Sequence, residues 1–200
     1  YKGFKLEFRG SLINSKGTEK DFTYKKYIGT LSKTIRWFML GIRDELEDNR
    51  SYINAGDSLL ATSFYFNDRT FFVQNADTAK NKFNISYRRR IEKLPLNNDL
   101  ERATLGENVS FTTELGKTQK SLFKSTITYR KLTILDSLIS VQKPDNSLIS
   151  RIEYTFGLFK SAITSTTFYE IGSGLEAKKE FSYLNVTNGQ GPYIWIDYND

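Results

Sequence analysis

Apolar and polar side chains alternate with a period of two along most of this chain, in segments separated by clusters of turn-forming residues. Phe4, Leu6 and Phe8 fall on one side of such a segment and Lys5, Glu7 and Arg9 on the other, and Ile152, Tyr154, Phe156 and Leu158 repeat the comb. Successive side chains of a strand point to opposite faces, so the pattern predicts strands wet on one side and covered on the other. Short connections and the lack of a helical segment long enough for a crossover make sequence neighbours antiparallel neighbours in space. The predicted fold is all-β: a long antiparallel up-and-down meander, forming a curved sheet or part of a β-barrel, with residues 1–200 as a single segment.

Breakers and alternation divide the chain into about a dozen strands. Lys2–Ile13 and Asp21–Ser32 read as a hairpin around Asn14-Ser15-Lys16-Gly17. In Thr34–Leu46, Ile35, Trp37 and Met39 alternate as in a strand, while Ile35, Phe38, Met39, Ile42 and Leu46 sit at helical spacing. Strand is preferred there, because Gly41 weakens a helix interior and the aromatics suit a pleat. Residues 48–57 read as a loop, and Leu60–Phe66 pairs with Thr70–Gln74 across Asn67-Asp68. Further strands are expected over Lys80–Glu92, Arg102–Leu115, Leu122–Leu135, Ser150–Phe159, Ser161–Ile171, Leu175–Val186 and Tyr193–Tyr198. Pro95 makes Leu94–Asp99 a loop, because proline cannot donate in a ladder. Gln142–Asn146 is a second loop, and Gly172-Ser173-Gly174 a tight connection.

Composition narrows the chemistry. Only 38% of residues are hydrophobic, but 15 Phe and 12 Tyr put the apolar surface into large strand-forming side chains, which argues for order. Without Cys or His there are no disulfides, no thiol nucleophile and none of the hydrolase constellations that need imidazole. The net charge of +6 is scattered. Its only tight cluster, Arg88-Arg89-Arg90, reads as a solvated strand end, and nucleic acid is not an expected partner. No apolar run approaches the ~18 residues of a membrane helix, and the start at Tyr1 without a leader reads as that of a mature product or an excised piece.

Several predicted strands exceed the usual length of about 5–6 residues. A strand of an outer-membrane barrel needs about 9–11 residues with one uncharged face. Ser121, Phe123, Ser125, Ile127 and Tyr129 meet that condition, as do Ile163, Ser165, Thr167, Tyr169 and Ile171. Arg89 interrupts the face of Phe83, Ile85 and Tyr87; Glu107 stands between Leu105 and Val109, and Lys179 between Ala177 and Phe181. A Lys or Arg costs about 2–4 kcal/mol at the bilayer midplane and almost nothing at the interface, so the placement of these charges separates a membrane wall from a soluble sheet. Tyr27, Trp37 and Trp195 are candidates for an interfacial girdle, and aromatic core packing accounts for them equally.

The stretch Tyr169-Glu170-Ile171-Gly172-Ser173-Gly174-Leu175-Glu176, continued by Gly189-Gln190-Gly191-Pro192-Tyr193-Ile194-Trp195-Ile196-Asp197-Tyr198-Asn199, resembles a segment of large uncharacterised Bacteroidota proteins. The resemblance covers about the last 33 residues. It implies a β-rich protein of the bacterial outer membrane or cell surface, with no assigned activity. Asp197 and Asn199 are candidate metal ligands that would begin a calcium loop of the Asp-x-Asn-x-Asp-Gly type. The chain stops at Asp200, before the closing Gly and Glu, so calcium is expected only in a longer parent and no cofactor is expected here.

Three readings of function follow. The first is a non-catalytic structural β segment of an outer-envelope or cell-surface protein, with membrane lipid or envelope proteins as partners. The second is a soluble curved sheet that holds an apolar ligand or glycan on its aromatic face. The third is a carboxylate glycosidase using a pair among Glu170, Glu176 and Glu180, which requires two carboxyl groups facing across a cleft. Asn84, Asn108 and Asn185 also fit the glycosylation acceptor pattern, on or near predicted strands.

Overall fold

The computed structural model describes residues 3–53, 58–75, 79–116, 121–159 and 162–173. The strands are β1 (Phe4–Lys16), β2 (Lys20–Ile35), β3 (Phe38–Ile53), the two-residue β4 (Ser58–Leu59), β5 (Phe64–Asn75), β6 (Lys82–Leu96), β7 (Asp99–Leu115), β8 (Ser121–Ile134), β9 (Asp145–Leu158) and β10 (Ile163–Ser173). They form one ten-stranded antiparallel sheet in chain order, with β4 set against β3. Neither β1 nor β10 has a second neighbour among the described residues, so the sheet is open. The predicted all-β up-and-down meander is the fold.

Several boundaries differ from the expectation, each for a local reason. The ambiguous Thr34–Leu46 segment holds a two-residue hairpin turn at Arg36-Trp37, with Arg36 at φ 53, and β3 begins after it. Residues 48–53 are strand rather than loop: Asp48 and Arg50 bond to each other along β3, with Arg50 Nε 3.0 Å from Asp48 Oδ1. Asn67 and Asp68 lie within β5 rather than at a turn, held from both sides by Asp44, Arg88 and Arg90. Pro95 is tolerated in β6 because β5 pairs with β6 only as far as Lys93, so the proline sits beyond the end of its second neighbour.

The tight turn that follows Pro95 is Asn97-Asn98, both at positive φ (48° and 69°), the conformation of a two-residue hairpin in which Asn is favoured. Asp145 and Asn146 begin β9 instead of extending the preceding loop, and Gly172 and Ser173 continue β10 opposite Ile149 and Leu148. The predicted strands at 175–186 and 193–198 lie outside the described residues.

A strand-rich domain ordinarily buries one sheet face against a second layer. Here the described residues form a single layer, in which Leu100 and Ala103 are the buried hydrophobic residues. Both lie at the hairpin end of β7, where a bulge at Glu92/Lys93 frees the Ala103 carbonyl to accept the backbone N–H groups of Leu135 and Asp136. Among the described residues the sheet has no core.

Candidate functional site

The register separates two faces. One carries Phe4, Leu6 and Phe8 of β1, Phe38, Leu40 and Ile42 of β3, Phe71 and Val73 of β5, Ile85 of β6, and Val109 and Phe111 of β7. It continues through Ile127 and Tyr129 of β8, Tyr154 and Leu158 of β9, and Ile163, Tyr169 and Ile171 of β10. Apart from Ile13, Ile149 and Phe168, every strongly exposed large hydrophobic residue borne by a strand is on this face. Scattered exposed hydrophobics are ordinary on a protein surface, but a continuous one-sided field of them marks a contact surface.

The opposite face is the more polar one, carrying an internally bonded set of polar groups beside the stacked pairs Phe22–Tyr24 and Phe64–Phe66. Asp68, with a side chain 8% exposed, takes Arg88 through two hydrogen bonds and has Arg90 Nη1 at 3.8 Å, while the Arg90 guanidinium lies 4.1 Å from the Phe66 ring centroid. Lys26 bonds Glu47 at 2.8 Å, Ser110 bonds Thr128 at 3.1 Å and Thr155 bonds Thr166 at 3.1 Å. The Arg88-Arg89-Arg90 run is thus not a solvated strand end. It lies inside β6, with Arg88 and Arg90 on the polar face and Arg89 on the apolar one.

Five of the charges on the apolar face are level with one another. Asp44, Arg69, Arg89, Glu107 and Lys131 stand opposite one another in turn across β3, β5, β6, β7 and β8. Asp44 accepts the Tyr27 hydroxyl at 2.7 Å, Arg69 Nε at 2.9 Å and the Asn67 amide at 3.3 Å; Glu107 accepts the Tyr87 hydroxyl at 2.6 Å. On the side of this row toward the Arg36-Trp37 turn, the residues between Asp44 and that turn are uncharged on β3, as are those between Arg69 and Asn75 on β5, apart from the opposite-face positions. Lys33 is the cation within this apolar belt, and its Nζ lies 4.6 Å from the Phe4 ring centroid. From β3 to β10 the belt widens, and on β10 the apolar-facing positions are uncharged over all 11 residues.

Of the sequence-nominated residues, Ser121, Phe123, Ser125, Ile127 and Tyr129 share the apolar face, and so do Ile163, Ser165, Thr167, Tyr169 and Ile171. Trp37 sits in its turn 63% exposed, at the rim of the belt, edge-on to Phe38 and Phe83. Tyr27 lies mid-strand beside the charged row instead of at a strand end. Glu170 is on the polar face of β10. Glu176, Glu180, Asn185, Trp195 and the metal candidates Asp197 and Asn199 lie outside the described residues. Among the described residues no group of three or more Asp or Glu is arranged to hold a metal ion.

Two shallow concavities, of about 360 and 180 Å³, lie on this open sheet, one over Asn14, Asp21, Phe22 and Tyr52, the other over Glu7, Ser32, Met39 and Phe72. Sequence reasoning missed the row of charges, because its successive members are 18–25 residues apart in the chain and only the strand register brings them level. Comparisons with protein-family models, with curated proteins and with solved structures found no match.

Proposed function

We propose that this chain is a non-catalytic structural element of a bacterial outer-envelope protein, forming part of the wall of a membrane-spanning β-barrel. The observation that carries this reading is a ten-stranded single layer whose exposed large hydrophobics gather on one face while the other face carries cross-strand polar pairs such as Arg88–Asp68 and Ser110–Thr128. Such a sheet must cover its apolar side with something, and hydrocarbon is a covering that needs no second protein layer. Strand length agrees: β1 to β10, β4 aside, run 11 to 17 residues, enough to cross a bilayer with the tilt of about 45° that spanning strands take.

The connections favour one orientation. The longest, residues 54–63 and 135–144, lie at the end of the sheet where β3 and β8 finish, together with the short ones at 17–19 and 97–98; at the opposite end the connections are 36–37, 76–81, 116–120 and 159–162. Barrels of this class place short turns on the periplasmic side and longer loops outside, so the end bearing 135–144 is assigned to the exterior. The resemblance of the C-terminal segment to Bacteroidota envelope proteins points to the same compartment.

The test is partition of the full chain between water and lipid. Recovery with phosphatidylcholine vesicles after an alkaline or high-salt wash supports the wall. A chain that stays monodisperse in buffer without detergent overturns it and favours the soluble sheet, whose aromatic face would then hold an apolar ligand recoverable by solvent extraction.

A further inference from the structure

We propose that the apolar face, at the row where its belt ends, seats the phosphate groups of anionic lipid headgroups, with Arg69 and Arg89 as the paired donors. This rests on the membrane reading above and adds a ligand to it. Arg69 on β5 and Arg89 on β6 stand directly opposite each other, and both are exposed. Like charges in directly opposed positions destabilise a sheet, and an anion placed between them offsets the repulsion.

The neighbouring carboxylates supply that anion only in part: Asp44 forms a salt bridge with Arg69 at 2.9 Å, and Glu107 stands opposite Arg89 without one. Asp44 receives Arg69 but also Tyr27 and Asn67, and Glu107, opposite Arg89, is engaged by the Tyr87 hydroxyl. No carboxylate lies within salt-bridge distance of Arg89 among the described residues. A second like-charge pair, Lys93 opposite Arg102, repeats the arrangement further from the belt, and Lys131 extends the row beyond Glu107. The face is therefore uncharged below the row apart from Lys33, and at and above it carries more cations than carboxylates, the same order in which a phospholipid presents acyl chain and phosphate. Guanidinium groups match phosphate oxygens with two parallel N–H donors, so two arginines about one strand spacing apart can share one phosphate.

The experiment compares binding of the full chain to vesicles of phosphatidylcholine alone and of phosphatidylcholine with phosphatidylglycerol, at low salt. The wild type is expected to prefer the anionic vesicles roughly tenfold. The double variant Arg69→Gln/Arg89→Gln should lose that preference yet still bind the zwitterionic vesicles, while Arg130→Gln on the polar face should retain it. A double variant that keeps the preference, or a wild type that binds both vesicles equally, overturns the headgroup seat and leaves the membrane reading standing. Abolition of the preference by millimolar inorganic phosphate overturns the lipid as the source of the anion. A wild type that binds neither vesicle overturns both proposals together.

Discussion

Strands β3, β5 and β6 and strands β8, β9 and β10 present the same outward comb, but they end it differently. In the first group the uncharged run stops at a common level, at Asp44, Arg69 and Arg89; on β8 it stops at the same level, at Lys131, but spans Ser121 to Tyr129, and on β9 and β10 no residue of this face is charged. The five residues Phe38–Ile42 cover about 17 Å along a strand at about 3.4 Å per residue, less than the ~25 Å apolar band of a spanning wall. The difference teaches that the charges bounding the uncharged run are ordered rather than scattered across the apolar face. They share one level and are bonded laterally to Tyr27, Asn67 and Tyr87, as groups at a boundary between apolar and aqueous surroundings are.

The largest effect is expected where this contrast is sharpest. Ile127→Lys, in the long uncharged run of β8, should lower stability in phospholipid vesicles by about 2–4 kcal/mol, whereas Ile91→Lys, beyond the charged row, should cost about 0–1 kcal/mol. Urea unfolding from vesicles measures both, and equal losses would erase the distinction between the two groups of strands. Next in size is Asp68→Ala on the polar face, which strips the buried acceptor from Arg88 and should cost about 1–3 kcal/mol. That loss is expected to be the same in detergent and in lipid, because the network does not face the belt; a loss seen only in lipid would place this face in the membrane as well.

A smaller change is expected at the boundary itself. Asp44→Asn keeps the shape but weakens the charge-assisted bond from Arg69, and about 1 kcal/mol should be lost. Raising salt should shrink the difference between wild type and variant, since both side chains are part-exposed. Last comes Asn97→Ala in the hairpin at φ 48, about 1 kcal/mol from a left-handed backbone that alanine tolerates poorly. It serves as a control, because the turn is remote from the belt and its cost should not depend on lipid.

Much of the fold was legible in the sequence because a period of two survives in it almost undisturbed. Phe4-Leu6-Phe8, Ser121 to Tyr129 and Ile163 to Ile171 each kept the face their alternation predicts. The errors fell where polar residues inside strands look like breakers. Asn67-Asp68 and Asp48–Ser51 resemble turns in isolation, and only cross-strand partners such as Asp44 and Arg88 hold them extended. The Arg36-Trp37 turn was missed for the converse reason, since it contains none of the residues that favour positive φ. The charged row was unreadable in principle: Arg89 and Glu107 become neighbours only through register, and a slip of one residue would place them on opposite faces.

The central claim is that the apolar face meets lipid and the other face meets water. Because the chain has no cysteine, single cysteines placed at successive positions from Val109 to Thr113 of β7 and from Phe123 to Tyr129 of β8 can each carry a spin label without background. With the protein in phosphatidylcholine vesicles, collisions with molecular oxygen should peak at the odd-numbered positions and collisions with a water-soluble nickel reagent at the even-numbered ones, alternating residue by residue along both strands. Odd positions reached equally by the nickel reagent, or by neither probe, would contradict the account.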